Sequence, residues 1–321
     1  MEIFRDIDQV QGLKEPVLVA IGNFDGVHCG HQRVLGALVE RARERGGTSL
    51  ALTFYPHPMH VLALDRLQKM INTPEQRLEL LEAQGLDAVV LVPFTKEFSK
   101  KSPLEFIDGV LGAMPVGEVH VGGDFRFGRR TEGDVALLRK EGKKRGFEVV
   151  CAPDLQHEGG KLGSSAIRRL LGKGSVEEAA RLLGRNYFID GRIIEGDKRG
   201  MRIGVPTANL RSYNEIIPSP GVYATRIRVG GVQHPGVTNV GFRPTFHLHG
   251  GLTIETHILP REPHAPFQRN IVGERVRIEF VAMLREERKF SSTEELRREI
   301  LERDIPQAME ALKGLEKSLK E

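Results

Sequence analysis

The sequence predicts two domains of different fold class: an α/β domain on a doubly wound parallel sheet, then a small antiparallel β-barrel with a closing helix. The first observation is length, because 321 residues exceed what one hydrophobic core usually serves. The second is that helix and strand patterns alternate through the first half, which is typical of a parallel sheet. The third is that the second half consists of strands with alternating polar and apolar residues and short turns.

The segment 17–31, VLVAIGNFDGVHCGH, is the most informative part of the first half. Residues 17–21 form an uninterrupted aliphatic run, as expected for a strand covered on both faces. Gly22 and Gly26 then allow a tight backbone whose N–H groups can approach a phosphate. The helix that begins near Cys29 directs its positive end to the same place. The segment therefore predicts an anion site.

Two histidines of this segment, His28 and His31, are three residues apart and would lie on one face of the helix start. There they could meet one polyphosphate as cationic or hydrogen-bonding groups. Two other interpretations stay open on these residues alone. One is an ordinary strand-to-helix corner, since glycine turns are weak signals, and the other is a zinc site with two of its ligands present.

The alternation continues along the first half, and with strand 17–21 it predicts at least five parallel strands. The predicted segments are helix 29–45, strand 48–54, helix 74–84, strand 88–94, helix 103–113, strand 117–123, helix 132–145 and strand 147–152. Three helix starts pair an N-cap residue with Glu or Gln three positions later. These pairs are Thr73 with Gln76, Ser102 with Glu105, and Ser175 with Glu178.

Polar and aromatic motifs follow three of these strands, namely TFYPHP at 53–58, GGDFRFGRRTEGD at 122–134 and GSSAIRRLL at 163–171. Ligands of open α/β sheets bind at the carboxyl ends of the strands, so the motifs are expected to share one crevice. Phe54, Phe125 and Phe127 would offer a flat aromatic ligand a surface there, with ordinary core packing as an equal alternative.

The last of these motifs places Ser164 and Ser165 at a helix start, with Arg168 one turn later. Hydroxyl groups and a guanidinium at a helix N-terminus form a second candidate anion site, and a simple N-cap is the alternative. The next predicted helix ends at Gly184. We therefore place the domain boundary near residue 185, which gives domains 1–185 and 186–321.

The second half contains the predicted strand segments YFIDGRIIEG, GVYATRIRV, VQHPGVTNVG, LTIETHIL and ERVRIEFVAML. One long helix follows. Its start has the capping pair Ser292 and Glu295, and its apolar face is predicted to contain Leu296, Ile300 and Leu301.

Between the first barrel strands lies GDKRGMRIGVPTANL, in which Gly196, Gly200 and Gly204 precede Thr207 and Asn209. A threonine hydroxyl and an asparagine carbonyl suit Mg²⁺, and glycine backbone suits phosphate. No Walker motif follows, so a nucleotide here would be held differently. On spacing alone, a turn with local Asn and Thr hydrogen bonds is favoured.

The motif GNFDGVHCGH resembles the signature GxFDxxHxGH of nucleotidylyltransferases, specifically the bacterial riboflavin kinase/FAD synthetases. The resemblance implies that His28 and His31 contact the ATP phosphates and stabilise the leaving pyrophosphate, with no covalent intermediate. It also implies that the residues of the turn contact the phosphates; these are Gly22, Asn23, Phe24, Asp25 and Gly26.

Two further motifs of the first half carry the same resemblance. Ser164, Ser165 and Arg168 match a family SSxxIR motif that is implied to hold the ATP phosphates. Asp124 lies in a loop similar to the family's GxDFRFG, and the implied role is to position nucleotide or flavin together with the neighbouring phenylalanines.

The segment with Thr207 and Asn209 resembles the GxPTAN signature of riboflavin kinases. The segments GVYA, GVTNVGFRPTF and LREERKFSSTEELRREI follow in the same order as in that module. The resemblance implies that Glu255 is the general base for the riboflavin 5′-hydroxyl and that Arg285 helps to hold the flavin. A surface strand glutamate and an exposed salt bridge are the alternatives from the residues alone.

One segment departs from the family pattern. After the E-x-H strand the family usually has a segment like DFxxDLYG, whereas residues 259–273 are LPREPHAPFQRNIVG. This departure concerns the loop beside the predicted kinase site.

The sequence thus predicts a bifunctional transferase that converts riboflavin to FMN and FMN to FAD, with ATP as co-substrate and Mg²⁺ at both sites. The alternatives are a nucleotidylyltransferase for another phosphate ester and a flavin- or nucleotide-binding regulator with an impaired kinase half.

Composition excludes several other classes. Lys and Arg number 47 against 43 Asp and Glu, without a basic stripe, so a nucleic-acid partner is not expected. Two cysteines give no disulfide framework, and the first residues, MEIFRDIDQV, do not form a signal peptide. No run is long enough to span a bilayer. We expect a cytoplasmic protein whose partners are small-molecule substrates.

Overall fold

The computed structural model describes residues 1–62, 68–153, 156–157, 160–196, 199–242, 251–260, 267 and 269–318. The chain divides into two compact units, Met1–Ser164 and Ser165–Glu321. No helix in the described part of the chain is long and apolar enough to cross a membrane.

The first unit contains alternating strands and helices. In chain order these are β1 (Glu2–Phe4), β2 (Val17–Ile21), α1 (Cys29–Glu44), β3 (Thr48–Tyr55), α2 (Pro58–Leu62), α3 (Pro74–Glu82), β4 (Ala88–Pro93), α4 (Pro103–Phe106), a π-helical turn (Ile107–Leu111), β5 (Val116–Gly122), β6 (Arg126–Phe127), β7 (Gly133–Asp134), α5 (Val135–Arg145), β8 (Glu148–Ala152), β9 (Gln156–His157) and β10 (Gly160–Lys161). Short 3₁₀ turns occupy Ile7–Gln9, Phe98–Lys100 and Arg129–Thr131.

Six strands of the described residues form one parallel sheet, in the order β1-β4-β3-β2-β5-β8. Successive residues of β2 enter two different cores. Val17, Val19 and Ile21 pack with α4 and α5, whereas Leu18 and Ala20 pack with α1 and α3. Helices therefore cover both faces, and the predicted doubly wound sheet is confirmed.

The strand order reverses between β2 and β5. From β2 the chain moves through β3 and β4 to one side, then crosses to β5 and β8 on the other side. Neighbouring loops leave such a switch point in opposite directions and open a crevice at the carboxyl ends of the strands. The segment after β2 lies at this crevice because of the strand order alone.

The three predicted helix starts are confirmed. Thr73 and Ser102 each form a complete capping box. Ser175 is the N-cap of the third helix, but its side chain makes no capping hydrogen bond. The helix predicted from 132 begins at Val135 instead, because Gly133–Asp134 pair with β6 and the Asp134 carboxylate caps the helix.

The second unit contains two helices, a barrel and the terminal helical segments. In chain order these are α6 (Ser164–Gly172), α7 (Val176–Leu183), β11 (Tyr187–Ile194), α8 (Arg199–Arg202), β12 (Ala208–Ser212), β13 (Gly221–Val229), β14 (Val232–Phe242), β15 (Leu252–Ile258), β16 (Arg275–Arg285), α9 (Thr293–Glu299), a π-helical turn (Ile300–Asp304) and α10 (Ile305–Ser318).

The barrel is closed and antiparallel, in the order β11-β12-β15-β14-β13-β16 within the described residues, which confirms the predicted barrel. Strand β12 was not predicted, because the preceding glycines and proline favour a turn. Three fully buried threonines form hydroxyl–hydroxyl hydrogen bonds between neighbouring strands. The Oγ1 atoms of Thr225 and Thr238 lie 2.8 Å apart, and those of Thr238 and Thr256 lie 2.9 Å apart. They fix the register of β15 against β14.

Two details of the second half differ from the sequence prediction. Leu301 is exposed, because a π-helical turn rotates the helix, and Ala308 and Leu312 instead pack on the barrel. The contacts divide the chain at Ser164 rather than near 185, because α7 packs on strands β11 and β16 of the barrel. The functional domain bounds at 185 remain a prediction.

A buried charge cluster holds α1 to the sheet. The Glu118 carboxylate of β5 is fully buried and accepts hydrogen bonds from Arg41 (2.7 Å), Arg45 (2.6 Å) and His120 (3.0 Å). Burial raises the pKa of Glu118, but the hydrogen bonds from Arg41, His120 and Arg45 outweigh it and lower the pKa to about 2. The cluster anchors the C-terminal end of the helix whose N-terminus faces the crevice.

We expect Glu118→Gln to lower the free energy of unfolding of the first unit by about 1–3 kcal/mol at pH 7, because two partly exposed guanidinium groups lose their hydrogen bonds to a buried carboxylate. The folded pKa of about 2 lies below the ordinary 4.5, so the stabilisation is complete above pH 4.5 and is lost as pH falls toward 2. Guanidinium unfolding followed by circular dichroism at pH 7 and at lower pH measures both effects.

Glu148→Gln is the matched control. Glu148 lies opposite Glu118 on the neighbouring strand but is exposed, so its replacement should change stability by less than about 0.5 kcal/mol. Equal losses in the two variants would contradict the role of the cluster.

Candidate active sites

The turn after β2 has an unusual backbone. Phe24 (φ 49°) and Val27 (φ 37°) lie in the left-handed region, as does Gly26 (φ 86°). A β-branched residue such as Val27 adopts this region only when its surroundings enforce it, at a cost of roughly 1–3 kcal/mol. The strained turn lies directly before the N-cap residue of α1.

Hydrogen bonds from distant segments hold this turn. The Asp25 carboxylate accepts from the Ile71 N–H (2.9 Å), and the Ser164 hydroxyl donates to the Asp25 carbonyl (2.8 Å). The Gln32 side chain donates to the Val27 carbonyl (2.8 Å). The Asp25 side chain is thus used within the protein, and its predicted place in phosphate binding concerns the turn as a whole.

His28 and His31 form a stacked pair at the start of α1. Their ring centroids are 3.6 Å apart with planes at 17°, and Phe24 contacts His31 edge-on at 5.3 Å. His28 is the N-cap, and its Nδ1 accepts the His31 N–H (3.3 Å). A neutral His28 therefore carries its proton on Nε2. Both rings lie on one face, as predicted.

His31 differs from His28 in its hydrogen bonding and its pKa. Its Nδ1 is buried and has no hydrogen-bond partner among the described residues. Burial, and secondarily the neighbouring His28, lower the pKa of His31 well below 6.5. The ring is therefore neutral at neutral pH and offers a hydrogen bond rather than a charge.

A cavity of about 270 Å³ opens in front of this pair. Gly22 and Gly122, which follow and end the two strands of the switch point, contribute to its wall together with Asp124 and Phe125. The structure thus brings together the turn, the histidine pair and part of the predicted flavin loop.

Phe54 and Phe127 do not line this cavity. Phe127 is buried in the core, and Phe54 packs against Phe94 and Phe98. Their rings belong to a chain of contacts in which Phe98 touches Phe106, Phe106 touches Phe127, and Phe127 stacks on Phe125. Core packing therefore accounts for both residues, and their flavin role remains a prediction.

A larger cavity, of about 800 Å³, lies at the other end of this phenylalanine chain. Phe94, Phe98 and Phe106 line it, together with basic side chains that include Lys101 and Arg130. Aromatic faces beside cations suit a flat ring that carries a phosphate. Their spacing in the sequence gave no signal, because residues 94–106 and Arg130 come together only in the fold.

The other predicted residues of the first site occupy α6. Ser164 belongs to the first unit and contacts the turn, as described above. Ser165 is exposed on the first turn of the helix, and Arg168 follows on the same helix. Their predicted contact with ATP phosphates is not tested by these positions.

In the second unit, Glu255 and the predicted metal ligands lie side by side. Asn209 on β12 pairs with Glu255 on β15, and the Thr207 hydroxyl donates to the Glu255 carboxylate (3.4 Å). His257, two residues along β15, has its Nδ1 2.7 Å from the Pro206 carbonyl. Strand β15 thus carries both Glu255 and His257, and His257 contacts the loop before Thr207.

The glycines beside these residues allow close packing. A Cβ on Gly196 would lie 2.1 Å from the Asn209 amide, and a Cβ on Gly200 would lie 2.2 Å from the Val205 carbonyl. Gly204 has φ 75°, which favours glycine. The donor set of a threonine hydroxyl, an asparagine carbonyl and a nearby carboxylate fits Mg²⁺.

Thr207 borders two cavities. One of about 560 Å³ is lined by Gly196, Thr207 and residues 269–272, and the other of about 420 Å³ is lined by Thr207, Glu255 and Arg285. The described end of the divergent segment 259–273 thus lines the first cavity. Residues 261–266 and 268 of that segment lie outside the described residues.

Arg285 lines the second cavity, but its guanidinium is engaged. It donates two hydrogen bonds to the buried Asp304 carboxylate, at 2.9 and 2.8 Å. The pair is largely buried, which differs from the exposed salt bridge considered from sequence. Its predicted contact with flavin remains a prediction.

The zinc alternative finds no support in the geometry. Throughout the described ranges, no three His, Cys, Asp or Glu side chains come together so that they could hold a metal ion. Cys29 and Cys151 do not form a disulfide bond.

Comparisons with known proteins match the two halves of the chain to two different families. An FAD synthetase family model matches residues 10–166, and a riboflavin kinase family model matches residues 183–312. The "Bifunctional riboflavin kinase/FMN adenylyltransferase" of Bacillus subtilis (strain 168) is 37% identical over 308 residues, 94% of each chain. The protein of the same name from Listeria monocytogenes is 40% identical over 281 residues, 87% of each chain.

The fold and the two sites define a two-module transferase. A solved structure described as "Macrolide-efflux Protein from Streptococcus pneumoniae" superposes on 96% of this chain and 98% of its own, with a TM-score of 0.84 and 26% identity. On the family models and the identities above, the chain belongs to the bifunctional riboflavin kinase/FMN adenylyltransferase family.

We expect Gly200→Ala to lower kcat/KM for riboflavin phosphorylation by about 10–100-fold, because the added Cβ must displace the Val205 carbonyl and with it the loop before Thr207. Steady-state assays of the full chain measure this, with FMN adenylylation as the internal reference.

Gly314→Ala is the matched control, since nothing lies within 4 Å of a Cβ at that helix position. A Gly200→Ala enzyme with wild-type kinase kinetics would contradict the assignment of this loop to the site.

Proposed function

We propose that the chain phosphorylates riboflavin to FMN at the Thr207–Glu255 site and adenylylates FMN to FAD at the His28–His31 site. Family membership supports flavin over other phosphate esters as the substrate class. The observation that carries the second assignment is the stacked histidine pair, which lines a cavity at the switch point of the sheet.

In adenylyl transfer, an FMN phosphate oxygen attacks the α-phosphorus of ATP, the new P–O bond forms, and the bond to pyrophosphate breaks. The reaction needs groups that stabilise charge on the phosphates and on the leaving group. Neutral His31 supplies a hydrogen bond, His28 supplies its Nε2–H, and the N-terminus of α1 supplies backbone dipoles. Ser164, Ser165 and Arg168 are proposed to hold the remaining phosphate charge.

In the kinase reaction, the riboflavin 5′-hydroxyl oxygen attacks the γ-phosphorus of ATP, the bond from this phosphorus to ADP breaks, and the hydroxyl proton passes to Glu255. A carboxylate beside the nucleophile is the usual acceptor for a hydroxyl proton. We propose that Thr207 and Asn209 hold Mg²⁺, which would neutralise phosphate charge. Gly196, Gly200 and Gly204 would leave room for the phosphates, with ATP in the cavity of 560 Å³ and flavin in that of 420 Å³.

We propose that the FMN ring binds in the adenylyl-transfer site along the series of contacting phenylalanine rings. Phe125 lines the histidine cavity and Phe106 lines the larger one, with the Phe127 ring in contact with both. This supports a ring position along the chain, with Asp124 nearer the histidines. We further propose Mg²⁺ at this site, a cytoplasmic location and only small-molecule partners, as the sequence predicts.

His31→Ala should lower kcat for FMN adenylylation by about 10²–10³-fold, because a hydrogen bond to the developing charge is lost. The kinase rate of the same preparation should stay at the wild-type level. Chromatographic separation of FMN and FAD after incubation with Mg-ATP measures both reactions.

A parallel fall of both activities would indicate a folding defect, and circular dichroism would identify it. Full adenylylation by a folded His31→Ala enzyme would refute the assignment of the site.

Glu255→Gln should lower kinase kcat by about 10²–10⁴-fold while riboflavin binding changes little, because shape is kept and the proton acceptor is lost. Turnover at saturating riboflavin and fluorescence titration of bound flavin separate the two effects. Glu279→Gln, on strand β16, which does not pair with β15, removes a carboxylate outside the site and should leave turnover unchanged.

Wild-type turnover by Glu255→Gln would make Glu255 a structural strand residue. Weak riboflavin binding by the wild type, with normal adenylylation of supplied FMN, would instead assign the defect to the divergent segment 259–273.

A further inference from the structure

Arg77 is a buried cation that none of the sequence motifs contains. It lies on α3, and only 6% of its surface is exposed. A buried guanidinium is costly unless its N–H groups are hydrogen-bonded, so its contacts indicate why it is there.

The two contacts of Arg77 reach two different segments of the adenylyl-transfer site. Its Nη1 donates to the Asn23 carbonyl (3.0 Å), within the turn after β2. Its Nη2 donates to the Phe54 carbonyl (3.1 Å), near the end of β3. One planar side chain therefore sets the distance between the phosphate-binding turn and the TFYPHP segment.

The turn needs this support. Phe24 and Val27 are held at positive φ, and the Asn23 carbonyl precedes both. Thr53 also donates to this carbonyl, but at 3.3 Å and from β3 alone. Arg77 is also the one side-chain donor to the Phe54 carbonyl among the described residues, so its removal would leave that carbonyl without a side-chain partner.

The charge of Arg77 also acts on this turn. Burial lowers the pKa of Arg77, and the nearby Asp25 and Tyr55 oppose that effect. A guanidinium stays protonated at neutral pH all the same. The Arg77 guanidinium is therefore permanently cationic and offsets the negative charge of the Asp25 carboxylate within the turn.

We infer that Arg77 is a positioning residue for adenylyl transfer, which holds the phosphate-binding turn and the end of β3 in the mutual geometry that the reaction requires. The inference rests on the proposed role of the turn in binding ATP phosphates. Lysine cannot replace it, because an ammonium group lacks the planar fork that reaches two carbonyls at once.

Arg77→Lys in the full chain tests the inference with little change in charge. We expect kcat for FMN adenylylation to fall by about 10–100-fold, with KM for ATP within about threefold, because misplacement of the turn affects the transition state more than binding. The kinase rate should not change. Arg77→Met should fall further, by about 10²-fold or more, where it folds.

Arg41→Lys is the matched control, because Arg41 is also a helix arginine of the first unit but is bound to Glu118. It should lower thermal stability while kcat for adenylylation at 25 °C stays within about twofold. An Arg77→Lys enzyme with wild-type kcat, a change confined to KM, or a loss of kcat that matches the unfolded fraction by circular dichroism would overturn the inference.

The outcome is separable from failure of the proposed function. If His31→Ala abolishes adenylylation and Arg77→Lys does not affect it, only the role of Arg77 is refuted. If His31→Ala also leaves adenylylation intact, the turn is not the phosphate site.

Discussion

The strained turn between β2 and α1 is the constraint on which the first unit depends. Val27 and Phe24 would not adopt positive φ in a short peptide, so the rest of the unit must supply the free energy that keeps them there. The hydrogen bonds to Asp25 come from Ile71 and Ser164, which lie far apart in sequence. The Glu118 cluster fixes the far end of α1. The turn before α1 and the C-terminal end of this helix are therefore both held by contacts within the protein.

In the barrel, strand pairing holds the site residues in place. Glu255 and Asn209 are neighbours because β12 and β15 pair, and the buried threonine hydroxyls keep β15 in register with β14. A slip of one residue would turn Glu255 into the barrel and Thr256 out of it. Register, rather than loop conformation, thus determines whether the carboxylate faces Thr207.

Local features of the sequence predicted much of this. The two-sided aliphatic run of β2 and the capping boxes at Thr73 and Ser102 depend on neighbouring residues and were predicted correctly. Strand β12 was missed, because its pairing with β15 is non-local and overrides the turn preference of the residues before it. Arg77 and the phenylalanine chain were missed because their contacts join segments that share no spacing. A buried arginine on an amphipathic helix is a signal only once its partners are known.

The two sites differ in residue type because their nucleophiles differ. An FMN phosphate is already largely ionised at neutral pH, since the second pKa of a phosphate monoester is about 6. It needs no proton acceptor, and the first site offers the neutral His31 ring and helix dipoles. Of the two carboxylates described above near this site, Asp25 accepts the Ile71 N–H, and Asp124 lines the cavity in front of the histidines. A riboflavin hydroxyl must lose a proton, and the second site provides the Glu255 carboxylate. The burial that keeps His31 neutral is therefore suited to a reaction in which the site donates hydrogen bonds and accepts no proton.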